Sequence, residues 1–475
     1  MSDDQPAGAA ARDAVVRDVV VVGGGSGGYA AALRATQLGL SVTLVEADLL
    51  GGTCLHRGCI PTKAQLHAAH VADQAREGAR IGVRSSVDGI DLSALQGWQQ
   101  SVIDRLHKGL SGLVSSRGIE VVQGFGRLVR DREGCGVEVD GRLIRGRAVV
   151  LATGSAPRTL GLPVDGRRIL TSDHALRLTE LPASAVVLGG GVIGVELASV
   201  WASFGVEVTV VEALDRLVPA EDPAASKALL RAFGKRGITV RTGVGVASAT
   251  ASDSGVEVTL ADGSALSADV LLVAPGRAPV SSGMGFEEAG VVLERGHVRV
   301  DENLATSVPG VFAVGDLVAG LQLAHRGFGH GMFVAERIAH LAGSFPTRPK
   351  LVPEHLIPRV TYANPEIASV GLTQAQAEAR GPVHVVEYNL AGNGRSQILG
   401  TQGFVKVVRE ADGPVVGVTM VGQGVSELIG EAQATVGWEA TPDDFAGLVH
   451  AHPTQGEAFG EALLALAGTP LHVHD

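Results

Sequence analysis

Residues 18–47 run DVVVVGGGSGGYAAALRATQLGLSVTLVEA: an apolar run, a glycine-rich break, an alanine-rich stretch, then a second apolar run closed by an acid. Uninterrupted β-branched runs bounded by glycine mark buried strands, and the longer stretch between them marks a helix. The pattern predicts strand (Asp18–Val22), turn, helix and strand (Ser41–Glu46). The same order returns at 185–213, AVVLGGGVIGVELASVWASFGVEVTVVEA, with Gly23 and Gly189 at equivalent points 166 residues apart. This is a duplicated βαβ unit rather than a short-period repeat.

Between the copies, Trp98, Val102, Leu106, Leu110 and Leu113 recur every three or four positions and predict a helix. IEVVQG and AVVLATG read as short strands, as do VLLVAPGRAP and VFAVGDL after the second copy. From about Lys350 the texture changes. PRVTYANPEIASVGLT, GFVKVVRE and PVVGVTMVG read as antiparallel strands, with helical segments to the end. The chain therefore divides into a first nucleotide domain, a second one inserted into it, and a C-terminal domain.

Each copy carries GxGxxG, at Gly23, Gly25 and Gly28 and at Gly189, Gly191 and Gly194. With 65 glycines in 475 residues about one chance match is expected, so the motif alone carries little. Its setting carries more. Both matches follow an apolar strand, open a helix, and precede an acid, Glu46 or Glu212, 18 residues beyond the last glycine. Such glycines let the backbone approach a pyrophosphate at a helix N-terminus, and the acid can take a ribose hydroxyl. Glu212 would repel a 2′-phosphate, which favours NAD over NADP at the second copy.

A net charge of −11 argues against nucleic acid as the main partner. No apolar run reaches membrane-spanning length, and the polar, acidic start lacks a signal-peptide core. Few cysteines fit a reducing compartment, so a cytoplasmic protein is expected.

Two of the three cysteines stand in GGTCLHRGCIPTK, at Cys54 and Cys59. A zinc site lacks a second cysteine pair, and a structural disulfide would close a very short loop for little gain in loop entropy. A redox pair fits better. In a regular helix Cα atoms five residues apart lie about 8.6 Å from each other, beyond the roughly 4.4–6.8 Å a disulfide spans. If the pair bridges, the backbone must turn around Cys54 before the helix settles. Pro61 suits a first helical turn, which places Cys59 near a helix N-terminus, where the dipole favours a thiolate. Cys135, in REGCGVEV, reads as a small strand residue.

GGTCLHRGCIPTK resembles the redox-active signature of the flavin-dependent pyridine nucleotide–disulfide oxidoreductases, and the similarity extends from about Asp18 to Pro470. LATGSAP (151–157), TSVPGVFAVGD (306–316) and HAHPTQGE (450–457) resemble further family segments in the expected order. The resemblance implies an α/β fold of two Rossmann-like dinucleotide-binding domains, for FAD and NAD, plus an α+β C-terminal dimerisation domain. The expected boundaries are a disordered N-terminus at 1–17, an FAD domain at 18–158 and 281–349, an NAD domain at 159–280 and an interface domain at 350–475. Gly23, Gly25, Gly28, Glu46, Gly52, Thr53, Lys63, Thr153, Gly154, Gly315 and Asp316 would face FAD, Asp316 at the ribityl chain. Gly189, Gly191, Gly194, Glu212 and Gly276 would face NAD.

The resemblance also implies roles. Cys54 would be the interchange sulfur and Cys59 the one nearer the flavin. His452 would be the base, held by Glu457, and the pair would serve the disulfide of the other subunit of a homodimer. Lys63 would sit beside the flavin with Glu196 as partner, since a buried lone lysine is costly. Glu212, VIGVELAS, PEIASVGLT and AGNGRSQILGTQGFVKVV point to the branch that oxidises protein-bound dihydrolipoamide, with lipoyl domains of 2-oxoacid dehydrogenase or glycine-cleavage complexes as partners. Branches with a C-terminal cysteine pair are disfavoured because no cysteine follows Cys135. NADP branches are disfavoured because Arg216 alone stands near Glu212.

His56, His330 and Pro275 depart from the family pattern. His56 and Arg57 bring charge between the cysteines that would lower a thiol pKa or steer an acidic partner, though lineage variation accounts for them more simply. His330 takes the place of an acid near the flavin region. His450 would support His452, and Tyr29 either assists the flavin site or packs. Two other functions stay open: the same fold acting on another thiol or disulfide, and a flavoprotein scaffold that binds lipoyl domains with little turnover.

Overall fold

The computed structural model describes residues 16–472 of the chain. The disorder expected at the N-terminus falls on residues outside that range, apart from Val16 and Arg17, which pair with Arg145 and Gly146 and start the first strand two residues before Asp18. The fold comprises two compact units. The first is formed by residues 16–56, Asp104–Ala156 and Ala278–Leu351. The second takes Arg57–Ile103, Pro157–Arg277 and residues 352–472.

In the first unit, β1 (Val16–Val22), β2 (Val42–Glu46), β3 (Glu120–Gln123), β4 (Arg127–Asp131), β5 (Gly134–Val139) and β6 (Arg142–Leu151) form one sheet in the order β3-β2-β1-β6-β5-β4. The β3-β2-β1-β6 part is parallel, with Val311–Ala313 also parallel to β6, and β5 and β4 fold back antiparallel. Val19 and Val21 pack with Ala31, Ala32 and Ala35 of α1 (Ser26–Gln37), while Val20 and Val22 pack with Val137 and Val149 on the other face. A parallel strand covered on both faces needs no polar alternation, hence the unbroken valine run. Helix Ala324–Leu341 lies so close to α1 that a Cβ on Gly331 would stand 2.3 Å from the Gly27 carbonyl oxygen.

In the second unit, Thr239–Arg241, Glu207–Val211, Ser184–Leu188, Val270–Val273 and Ile169–Leu170 make a parallel sheet in that order. A three-stranded antiparallel meander, Val246–Ser252, Gly255–Leu260 and Ala265–Ala268, accompanies it. The C-terminal part is a five-stranded antiparallel sheet built on Glu366–Gly371, Val415–Gly422 and Phe404–Glu410, with Arg359–Thr361 and Val383–Asn389 at its edges. Helices Val425–Gly437 and Glu457–Leu466 cover it through Ile429, Phe459 and Leu463 against Val405, Val407 and Met420.

Two helices after the first cradle complete the setting, α2 (Gly52–Arg57) and α3 (Cys59–Glu77). The helix expected around Trp98 is α4 (Leu92–Ser116), and the residues that marked it do not form its buried line. Trp98, Leu106 and Leu113 are exposed, whereas Leu95, Gln99, Ile103 and Val114 are buried. Gln99 takes an inward position because its side chain accepts from Gln65 Nε2 at 3.1 Å, so the buried polar pair is satisfied. Among the described residues no helix is long and apolar enough to cross a membrane.

Candidate active site

Both glycine turns repeat down to the hydrogen bond. Glu46 accepts from Gly24 N with Oε2 and from Asp48 N with Oε1 at 2.7 Å. Glu212 accepts from Gly190 N with Oε2 at 2.6 Å and from Leu214 N with Oε1 at 2.7 Å. Each acid thus clasps its own glycine turn, a use that spacing alone did not reveal. An ionised carboxylate still has lone pairs for a ribose hydroxyl. The last glycine of each motif serves packing: a Cβ on Gly28 would lie 1.7 Å from Gly23 O, and one on Gly194 would lie 1.9 Å from Gly189 O. The middle glycines are different. Gly25 and Gly191 cap their helices, and a Cβ would meet no protein atom within 3.9 Å at Gly25 or within 4 Å at Gly191. Open space at a helix N-terminus lined by backbone N–H groups fits a dinucleotide pyrophosphate in both turns.

Around the first cradle, Gly52 abuts Gly25, and a Cβ there would be 2.7 Å from the Gly25 Cα. Thr53 and Cys54 are half-buried on α2. Thr153 spends its hydroxyl on Val280 O, and Gly154 O accepts from Val280 N at 2.9 Å. Asp316 accepts from Ser155 Oγ at 2.6 Å. Gly315 is held on both sides: its carbonyl accepts from buried Arg326 at 3.1 Å, and its N–H donates to His330 Nδ1 at 3.4 Å. His330 is buried, and burial followed by the Arg326 charge pushes its pKa down to about 3, so the ring is neutral. Arg326 and Ser155 escaped sequence reading because neither stands in a spacing that marks a ligand. Burial, then the Cys54 charge, pushes the Tyr29 hydroxyl up to about 12, and its ring packs on Phe328. In the second unit, Gly276 O accepts from Arg158 N at 3.0 Å beside the second cradle.

The chain does turn between the cysteines. Gly58 leaves helical geometry at φ −140°, ψ −110°, and Cys59 is the first residue of α3. Pro61 lies in that first turn, and Thr62 closes it by donating N and Oγ1 to Gly58 O at 3.0 and 2.6 Å. His56 Nε2 donates to Leu50 O at 2.8 Å, so the departing residue braces the loop ahead of it. Cys135 lies half-buried in β5, where burial raises its thiol pKa.

Helix α3 runs along helix Val192–Ser203, tied by Ser203 Oγ to Asp73 at 2.7 Å. That alignment brings Lys63 Nζ to Glu196 at 2.8 and 3.1 Å, with Glu196 buried and Lys63 about one-third exposed. Burial pulls the Lys63 pKa down, but Glu196 first, then Cys59 and Tyr362, hold it above the usual value.

At the C-terminal end His452 Nδ1 lies 2.8 Å from Glu457 Oε1, and Thr454 N donates to Glu457 Oε2 at 2.7 Å. Burial raises the Glu457 pKa, but the Thr454 amide and His452 outweigh it and keep the acid ionised. A carboxylate can only accept, so Nδ1 carries the proton and Nε2 is the basic atom. The His452 side chain is 78% exposed, which leaves Nε2 reachable. Asn393 Nδ2 holds the loop through Thr454 O at 2.9 Å, and His450 bonds separately to Glu431 at 2.9 Å.

Two dinucleotide cradles and a cysteine pair at a helix start define a dinucleotide-dependent dithiol oxidoreductase. The chain belongs to the pyridine nucleotide-disulphide oxidoreductase family, whose model matches residues 17–331, and its dimerisation-domain model matches 357–463. It is an FAD- and NAD-using enzyme that dimerises with a second copy. It is 39% identical to the dihydrolipoyl dehydrogenase of Bacillus subtilis over 96% of this chain and 99% of the relative. It is 36% identical to the leghemoglobin reductase of Vigna unguiculata over 96% of this chain and 88% of the relative. Among solved structures, LpdA from Mycobacterium tuberculosis superposes with a TM-score of 0.87 at 29% identity, covering 94% of this chain and 99% of that one.

Proposed function

We propose that this enzyme is a dihydrolipoyl dehydrogenase: dihydrolipoamide plus NAD⁺ gives lipoamide, NADH and a proton. The observation that carries the reading is the His452–Glu457 couple, which offers a basic Nε2 to a substrate thiol. His452 takes that proton, and Glu457 stabilises the resulting imidazolium. The substrate thiolate attacks Cys54 in a Cys54–Cys59 disulfide. The S–S bond breaks, and its electron pair leaves on Cys59, whose thiolate is favoured by the N-terminus of α3. The second substrate thiol then attacks the substrate sulfur of the mixed disulfide, its proton passing to the departing Cys54 thiolate, and oxidised lipoamide leaves. Bound FAD supplies the two-electron carrier between the dithiol and NAD. The first cradle, with Thr53, Lys63, Thr153, Gly154, Gly315 and Asp316, would hold FAD, and the second, with Glu212 and Gly276, would hold NAD. The matched dimerisation domain supports the base acting on the dithiol of the partner copy.

The FAD, NAD and interface domains remain proposed at the boundaries drawn from the sequence; the two separate βαβ sheets and the antiparallel C-terminal sheet support three such domains, whereas residues 57–103 group with the second unit rather than with the FAD sheet. Lipoyl domains are the expected protein partners and the cytoplasm the expected location, the latter in keeping with only three cysteines.

The relative named leghemoglobin reductase favours a second reading, in which the same scaffold serves another acceptor. Mixing the purified holoenzyme with dihydrolipoamide and either NAD or NADP separates the two. Fast NADH formation with NAD alone, abolished by Cys54→Ser, supports the first. Flavin reduction by NADH without dihydrolipoamide turnover sinks it.

A further inference from the structure

Tyr362 follows strand Arg359–Thr361 and meets the Lys63–Glu196 pair in two ways. Its ring lies under the ammonium, with Lys63 Nζ 4.6 Å from the centroid. Its backbone N–H donates to Glu196 Oε1 at 2.9 Å, the oxygen that also accepts from Lys63 at 3.1 Å. Lysine ends a flexible stem with a compact charge, and one carboxylate alone leaves it several positions. A carboxylate on one side and an aromatic face on another leave far fewer. Cys59 and Lys63 are four residues apart on α3, so the two side chains share a helix face one turn apart.

We infer that the Tyr362 ring, by seating the Lys63 ammonium against Glu196, fixes a positive charge one helical turn from Cys59 and so sets how readily Cys59 stands as the thiolate. Tyr362 is a positioning residue that acts through Lys63. The role rests on the dithiol chemistry proposed above and extends it to a residue outside the cysteine, lysine and histidine motifs. The electrostatics agree at Cys59, whose charge helps hold Lys63 protonated after Glu196 has offset its burial.

The test reads Cys59 directly. In reduced holoenzyme carrying Cys54→Ser, the rate of Cys59 alkylation by iodoacetamide is followed across pH by peptide mass. Tyr362→Leu raises the midpoint by about half a pH unit, roughly threefold less thiolate at neutral pH. Tyr362→Phe, which keeps the π face, leaves it in place, and Lys63→Met raises it at least as far as the leucine variant. An unmoved midpoint in Tyr362→Leu, or an equal rise in Tyr362→Phe, overturns the inference. Should the leucine variant not fold, Tyr362→Trp decides. The stronger ring lowers the midpoint below that of Tyr362→Phe, and an equal or higher value overturns the inference. If the variants show the shift but the parent enzyme does not turn over dihydrolipoamide, the substrate reading alone is lost. Turnover without the shift loses this inference alone.

Discussion

His452 directs its Nδ1–H at Glu457 Oε1, 2.8 Å away, and leaves Nε2 on an exposed ring. One carboxylate thereby selects the tautomer and the reacting nitrogen together. His452→Gln, which has no comparable base, should lower kcat with dihydrolipoamide and NAD by about 10²–10⁴-fold. Flavin reduction by NADH should be unchanged in the same variant. Stopped-flow measurement of both half-reactions checks the pair, and equal loss in the two would place His452 outside the dithiol half.

The same couple carries a pH signature. Glu457 is held below its ordinary value of 4.5, so it stabilises the fold above that value and loses the contribution as pH falls through its folded pKa. Glu457→Gln should therefore melt below the parent at pH 7, and the two should converge as pH falls below 4.5 and through the lowered folded pKa. Calorimetry across pH reads the difference directly.

Gly191 and Gly194 stand three residues apart, yet they should fail differently. The Gly194→Ala methyl runs into Gly189 O, so that variant should lose about 1–3 kcal/mol or not fold. The Gly191→Ala methyl meets no protein atom within 4 Å, so stability should hold while the NAD KM rises roughly tenfold or more. Thermal melts beside NAD titrations distinguish the two.

His330 should make the first unit sensitive to acid. Between its folded pKa of about 3 and the ordinary 6.5, the unfolded chain binds a proton that the folded chain does not. Stability is therefore full above about pH 6.5 and declines as pH falls toward 3. His330→Asn has no such proton to bind, so its urea midpoint should fall less steeply between pH 7 and pH 4.5. An equal slope in both proteins would remove His330 as the cause.

Much of the site was legible because its chemistry is local in sequence. The glycine turns, the cysteine pair with Pro61, and HPTQGE each fit within a few residues; the first two form the predicted turns and helix start, and the third brings His452 onto Glu457. Side chains that act by burial were not legible. Tyr362 lies 299 positions from Lys63, and Ser155 lies 161 from Asp316, so only folding brings either pair together. Strand Val383–Asn389 and the 246–268 meander were missed because their alternation is half polar and half exposed. The α4 stripe located its helix, but apolar spacing does not tell which side its neighbours cover. At His56, the bond to Leu50 O accounts for the residue through bracing, and no lowered thiol pKa is needed to explain it.

Glu46 and Glu212 tie their turns shut with protein hydrogen bonds alone. Each carboxylate that would meet a ribose hydroxyl is therefore also a strut of its own turn. Losing either acid should loosen the loop as well as remove the ribose contact, so the two effects travel together in one residue.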